Sequence, residues 1–155
     1  MLEIYKMAGH LIRRMNQIST SVFSERMAGE GYDLTSVQFA ALTALEAHPG
    51  IDQATLAGMI AYDRVTIAGV VERLEQKGLI ERTVSSRDRR SRLLKLSADG
   101  AAILAHLKPV VLELQDDILM GLDSAEKKTL LQLLEKATNA GNQVSRAPLM
   151  LKTAK

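Results

Sequence analysis

At Gly78 the hydrophobic period of this chain changes, and that change limits the folds open to it. Before Gly78, Ile67, Val70, Val71 and Leu74 recur at helical spacing, in a segment opened by Asp63 as N-cap and running through Lys77. After it, Leu79 to Val84 and Arg92 to Leu96 each fit a strand of five or six residues, and the polar stretch between them reads as a hairpin tip. Upstream, Asp52 caps a short helix through Met59. Two short helices joined by a tight turn therefore lead straight into a two-stranded hairpin, an order that few architectures use.

Longer helices flank this block. From residue 3 to 28, Ile4, Ala8, Leu11, Met15, Ile18 and Val22 alternate by four and three, which is one seam of a long helix ending at GEGYD. Thr35 and Gln38 have capping-box spacing, with Leu34 and Phe39 placed as a hydrophobic staple, and their helix is predicted to reach about Glu46. Ser97 opens a helix carrying Leu104, Leu107, Val111, Leu114 and Ile118, in which Pro109 should kink or weaken one turn. Asp123 with Glu126 opens the last helix, whose seam is Leu130, Leu134, Ala137, Gly141 and Val144. From Arg146 the tail has no period and is expected to fray. The end seams are too long for a small lobe to cover, which suggests packing against a second copy of the chain.

Composition removes several function classes. Apolar residues make up 46% and aromatic residues only 3%, so the core is aliphatic. Without cysteine there is no disulfide, thiolate metal site or thiol switch. His10, His48 and His106 are far apart and form no metal-ligand pair at helical spacing. No P-loop, G-x-S-x-G or G-x-G-x-x-G occurs, so an enzyme is not expected, nor a cofactor or a metal. The start, MLEIYKMAGHLIRR, lacks the uninterrupted apolar stretch of a signal peptide, and no run nears the roughly 18 apolar residues that cross a bilayer. A soluble cytoplasmic protein with no membrane partner is expected.

Charge supplies the positive signal. Between Arg82 and Lys95 stand six basic side chains (Arg82, Arg87, Arg89, Arg90, Arg92 and Lys95) and one acid, Asp88, in a chain of net charge +2. A charged hairpin with a solvated turn explains such a window, and so does a nucleic-acid surface. The context favours the second, because a hairpin directly after a capped second helix is the layout of a winged helix-turn-helix. There the second helix enters the major groove and the wing lies along phosphates. With Ile67, Val70, Val71 and Leu74 turned to the core, Arg64, Val65, Thr66, Ala68, Gly69 and Arg73 face outward as the candidate reading surface. Arg87, Arg89 and Arg90 are the candidate phosphate contacts of the wing. Two readings fit Arg73: a phosphate contact, or a salt bridge with Asp88 or Glu72.

The stretch DRVTIAGVVERLEQKGLIERTVSSRDRRSRLLKLSADG resembles the recognition helix, wing and following helix of MarR-type transcriptional regulators. The likeness lies in Leu74 with Lys77-Gly78-Leu79, in the wing motif Asp88-Arg89-Arg90, and in the Leu-Ser-x-x-Gly close at Leu96 to Gly100. LTSVQFAALTAL and LDSAEKKTLLQLL also fit, while Ser97 replaces a commoner Thr and Ser85-Ser86 stands where Asp-Pro often precedes the tip. The resemblance implies a mainly α fold with a small β-hairpin wing, one domain over 1–155. In it a winged helix-turn-helix lobe at about 34–97 lies between dimerisation helices at 1–30 and 98–147. It implies a homodimer that binds a pseudo-palindromic DNA operator, usually as a repressor, under the control of a small-molecule effector held between dimer helices and lobe. GHLIRRMNQIS is similar to the first helix of members that answer to aromatic carboxylates such as hydroxybenzoates. That likeness puts Arg13 on the acid, with His10, Arg14, Gln17 and Ser19 near it. Helical geometry alone only places Arg13 opposite the Ile4–Val22 seam, which a solvated arginine would also satisfy.

Overall fold

The computed structural model describes residues 1–150, among which it shows six α-helices and a three-stranded antiparallel sheet. The first helix is not continuous from residue 3. A 3-10 turn over Glu3–Lys6 is separated from α1 (Ala8–Gly29) by Met7, which is extended at φ −80 and ψ 134. Residues five apart on an unbroken helix point about 140° away from each other. The break lets the ring of Tyr5 fold onto His10 instead, with centroids 5.7 Å apart.

Local capping chemistry then sets most boundaries. Thr35 opens α2 (Ser36–Ala47) with both halves of a capping box: its Oγ1 accepts the Gln38 N–H at 3.2 Å, and Gln38 Oε1 accepts the Thr35 N–H at 3.1 Å. Asp52 caps α3 (Gln53–Met59) through the Thr55 N–H at 2.7 Å. Asp63 caps α4 (Arg64–Gln76), and α3 and α4 cross at 111°. The turn between them holds Ala61 in the left-handed region at φ 55, closed by the Tyr62 N–H on the Ala57 carbonyl at 3.0 Å.

The hairpin forms as expected, from β2 (Ile80–Val84) and β3 (Arg92–Leu96), with Ile80 opposite Leu96 and Arg82 opposite Leu94. A third strand was not foreseen. The two residues of β1 (Ile51–Asp52) pair with the other edge of β3, too short a piece to show any period. Pro109 does not interrupt α5 (Ala98–Ile118). Leu104 and Leu107 before it and Leu114 after it are fully buried, which anchors both halves to one core. Each such side chain contributes about 1.5–3 kcal/mol by leaving water.

The outer helices are left uncovered. α6 (Ser124–Gly141) opens with a capping box between Asp123 and Glu126 and buries no residue, and Leu131, Leu133 and Leu134 are exposed. On α1 only Phe23 and Met27 are buried, while Leu11, Met15 and Ile18 of the seam are exposed, as is Ile4 in the preceding 3-10 turn. The expected fraying from Arg146 is corrected as far as Met150, whose N–H donates to the Gly58 carbonyl of α3 at 2.8 Å. A docked tail needs no period of its own, because its contacts are backbone and side-chain hydrogen bonds rather than an apolar stripe. Residues 151–155 lie outside the described residues.

Candidate nucleic-acid interface

The outward face of α4 matches the helical register. Arg64, Val65, Ala68 and Arg73 are exposed, Val65 at 85%, and Gly69 is half-buried. Thr66 differs. Its N–H and its hydroxyl both donate to the Asp63 carboxylate, each at 2.8 Å, so its side chain completes the cap. The Thr66 N–H, helped by its hydroxyl, holds the Asp63 carboxyl below the usual carboxylate range. Arg73 makes no salt bridge with Asp88 or Glu72; its guanidinium lies back over Gly69, where a Cβ would sit 3.4 Å from Nη2. Side chains on a helix lean toward its N-terminus, so the charge of Arg73 arrives one turn nearer the groove-entering end.

The wing sorts its charges. Arg82 is paired with Glu75 of α4, and Lys95 with Glu81 across the strands at 2.9 Å. Arg92 Nη1 donates to the Arg89 carbonyl at 2.9 Å. Arg87, Arg89 and Arg90 are exposed and make no side-chain ion pair among the described residues. The tip that carries them is itself ordered. Ser85 is buried, and its Oγ accepts the N–H groups of Arg87 at 3.2 Å and Asp88 at 3.3 Å. The Asp88 carboxylate accepts the Arg90 N–H at 2.9 Å. Ser85 thus accepts with its hydroxyl the turn N–H groups that an aspartate in its place could accept, a role that composition did not single out.

Helix, wing and α5 meet at one point. Ser97 donates its hydroxyl to the Gly78 carbonyl at 2.6 Å and its N–H to the Leu79 carbonyl at 3.1 Å, while accepting the Gly100 N–H at 3.0 Å. A Cβ at Gly100 would lie 1.9 Å from the Leu79 carbonyl oxygen, which no side chain tolerates. That contact accounts for the Leu-Ser-x-x-Gly pattern.

The residues grouped around Arg13 are only partly brought together. Arg13 Nη1 donates to Gln17 Oε1 at 2.9 Å on the solvent face, with Arg14 also exposed and His10 half-buried against Tyr5. Ser19 is corrected. Nine residues along a helix from His10, it points to roughly the opposite side, toward the apolar seam. An apolar cavity of about 780 Å3 lies elsewhere, between α1, the end of α5 and α6, with Met15, Ile18, Ile118, Leu122, Leu130 and Leu133 in its walls. Among the described residues no His, Asp or Glu cluster could hold a metal, and no single helix is long and apolar enough to cross a membrane.

With this geometry in view, the likenesses to known proteins take on structural meaning. Residues 34–91, from the staple of α2 to the wing tip, match the model of the MarR family. The HTH-type transcriptional repressor NicR of Pseudomonas putida is 33% identical over 134 residues, covering 86% of this chain and 84% of NicR. The crystal structure of the PcaV transcriptional regulator from Streptomyces coelicolor with its natural ligand superposes with a TM-score of 0.81 at 30% identity, over 91% of this chain and 98% of that one. A structure of Bordetella bronchiseptica BpsR, described in terms of regulation of DNA binding by 6-hydroxynicotinic acid, gives 0.81 at 28% identity, over 90% and 98%.

Proposed function

Because this chain belongs to the MarR family of transcriptional regulators, we propose that it is a homodimeric repressor, released from a pseudo-palindromic operator by a small aromatic carboxylate. The observation that carries the DNA half is the sorting of wing charge. Among the described residues three arginines are left without acidic partners on an ordered tip, beside a helix with an exposed outward face. Arg64, Val65, Thr66, Ala68, Gly69 and Arg73 form the reading surface, with Thr66 acting through the cap, and Arg87, Arg89 and Arg90 grip phosphate. Two such units on one dimer match half-sites about one helical turn, roughly 10 bp, apart.

The dimer half is supported by the bare apolar seams of α1 and α6, which a second copy would cover. The effector half is supported by similarity to PcaV with its ligand and to BpsR with 6-hydroxynicotinic acid. Arg13 is the carboxylate-binding group in this reading, with His10, Arg14 and Gln17 beside it, and Ser19 on another face. An effector that prefers a dimer with mis-spaced recognition helices lowers DNA affinity by that preference and no more.

The test is a mobility-shift titration on the DNA flanking the gene, run with hydroxybenzoates and 6-hydroxynicotinic acid, with sedimentation of the free protein. A salt-dependent shift by a dimer, reversed by an aromatic acid, is expected. No shift at any salt concentration would sink the DNA half, and a shift indifferent to every acid would sink the effector half.

A further inference from the structure

The chain beyond α6 turns back on the helix-turn-helix and is pinned there. The side-chain amide of Asn142 spans this strap, with Oδ1 accepting the Leu149 N–H at 2.7 Å and Nδ2 donating to the Leu149 carbonyl at 3.1 Å. Met150 then bonds the Gly58 carbonyl, so closely that a Cβ at Gly58 would sit 3.0 Å from the Met150 Cβ and Cγ. Ser145, Ala147 and Leu149 share with Ala61 the walls of a cleft of about 350 Å3. Alternate residues of the strap therefore face the turn that leads into Asp63 and α4. Arg146, between two of them, is exposed and makes no hydrogen bond or ion pair through its guanidinium among the described residues. The charge of Arg146 reaches Asp63, whose carboxyl is lowered chiefly by the Thr66 N–H and in small part by Arg146.

From this placement we infer that Arg146 is a further operator contact, presented by the strap to a DNA phosphate flanking the groove that α4 enters. A guanidinium carried by a strap docked on the turn that precedes the recognition helix has the planar fork that phosphate accepts. Its position depends on the Asn142 clamp and on the absence of a side chain at Gly58. The inference rests on the DNA-binding reading above.

The experiment measures operator affinity against salt for the wild type and five variants. Arg146→Ala is expected to weaken binding several-fold and to reduce the slope of log K against log salt by about 0.9 per subunit. Arg146→Lys should keep the slope, because a point charge still displaces a counterion. Asn142→Ala should reproduce the loss with Arg146 intact, and Asn142→Ala with Arg146→Ala should lose little more. Arg90→Ala serves as the control for the interface as a whole. If Arg90→Ala lowers the slope and Arg146→Ala changes neither slope nor affinity, the inference is overturned while the regulator reading stands. Full additivity in the double variant overturns the role of the clamp. If the wild type binds no DNA, both fall together.

Discussion

Arg82, in the first strand of the wing, is held by Glu75, in the last turn of the recognition helix. Its Nε donates to Glu75 Oε2 at 3.1 Å and its Nη2 donates to the same oxygen. The pair joins the two elements expected to touch DNA and withdraws one arginine from the phosphate-facing set. The Arg82 guanidinium holds the Glu75 carboxyl below its ordinary value of 4.5, and Glu75 in turn raises Arg82.

A pH dependence follows from that depressed carboxyl. Glu75 is charged and paired in the folded chain at pH values where its unfolded counterpart already binds protons. Its contribution is therefore fully present above about 4.5 and is lost as pH falls through the lower folded value. Glu75→Gln should melt below wild type at about pH 7, and the gap should narrow as pH falls below 4.5. Thermal unfolding of both proteins across that range checks it; parallel curves would remove the pair from the stability balance.

Arg90→Ala should weaken operator binding by about tenfold or more and flatten its salt dependence, since Arg90 sits on an ordered tip with no acid to satisfy it. Arg82→Ala should leave the salt slope nearly unchanged and lower the melting temperature instead. Equal effects of the two on the slope would mean that Glu75 releases Arg82 when DNA arrives.

Gly69 separates two roles by size. An alanine Cβ would make an ordinary van der Waals contact with the Arg73 guanidinium at 3.4 Å, so Gly69→Ala should keep DNA affinity and gain about 0.5–1 kcal/mol of stability from helix propensity. Gly69→Leu should displace the guanidinium and weaken binding, and that loss should shrink in an Arg73→Ala background. Denaturant unfolding and fluorescence anisotropy on operator DNA read the two effects separately.

Gly100→Ala should destabilise the fold by about 3 kcal/mol or more, because the new Cβ overlaps a backbone oxygen that cannot swing away. A urea midpoint equal to wild type would show that the start of α5 can slide off Leu79 at no cost.

Arg13→Ala should retain operator binding and lose release by aromatic acids, with Arg13→Lys giving partial rescue because it cannot present two parallel donors. Calorimetry with hydroxybenzoates, paired with DNA-release assays, decides it. A variant that still responds makes Arg13 a solvated charge held by Gln17.

What could be read in advance was what neighbours in sequence determine. The caps at Thr35, Asp52, Asp63, Ser97 and Asp123 are all present, because each is a side chain bonding an N–H three residues on. What escaped was settled at a distance. Ile51 and Asp52 become a strand only because β3 offers an edge. The residues after Asn142 are ordered by partners in α3 and in the strap itself, with no stripe to announce them. Arg82 looked like its arginine neighbours until Glu75, on another element, claimed it. Ser19 is close to Arg13 along the chain, but its place on the helix surface is set by the turn of the helix and not by that nearness.

The junction of Ser97, Gly100 and Leu79 also fixes where the reading helix can pivot. Its far end is tied to the base of α5 through the Gly78 carbonyl, so a shift of α5 acts on α4 at its root. The 13 residues of α4 make an arm of about 20 Å from that fulcrum to the first turn. A tilt of about 5° at the root would swing the tip by nearly 2 Å, several times the range of about 0.5 Å over which a hydrogen bond to a base edge holds. Movements in the long helices too small to disturb their own packing are thus geared up where the sequence of the DNA is read.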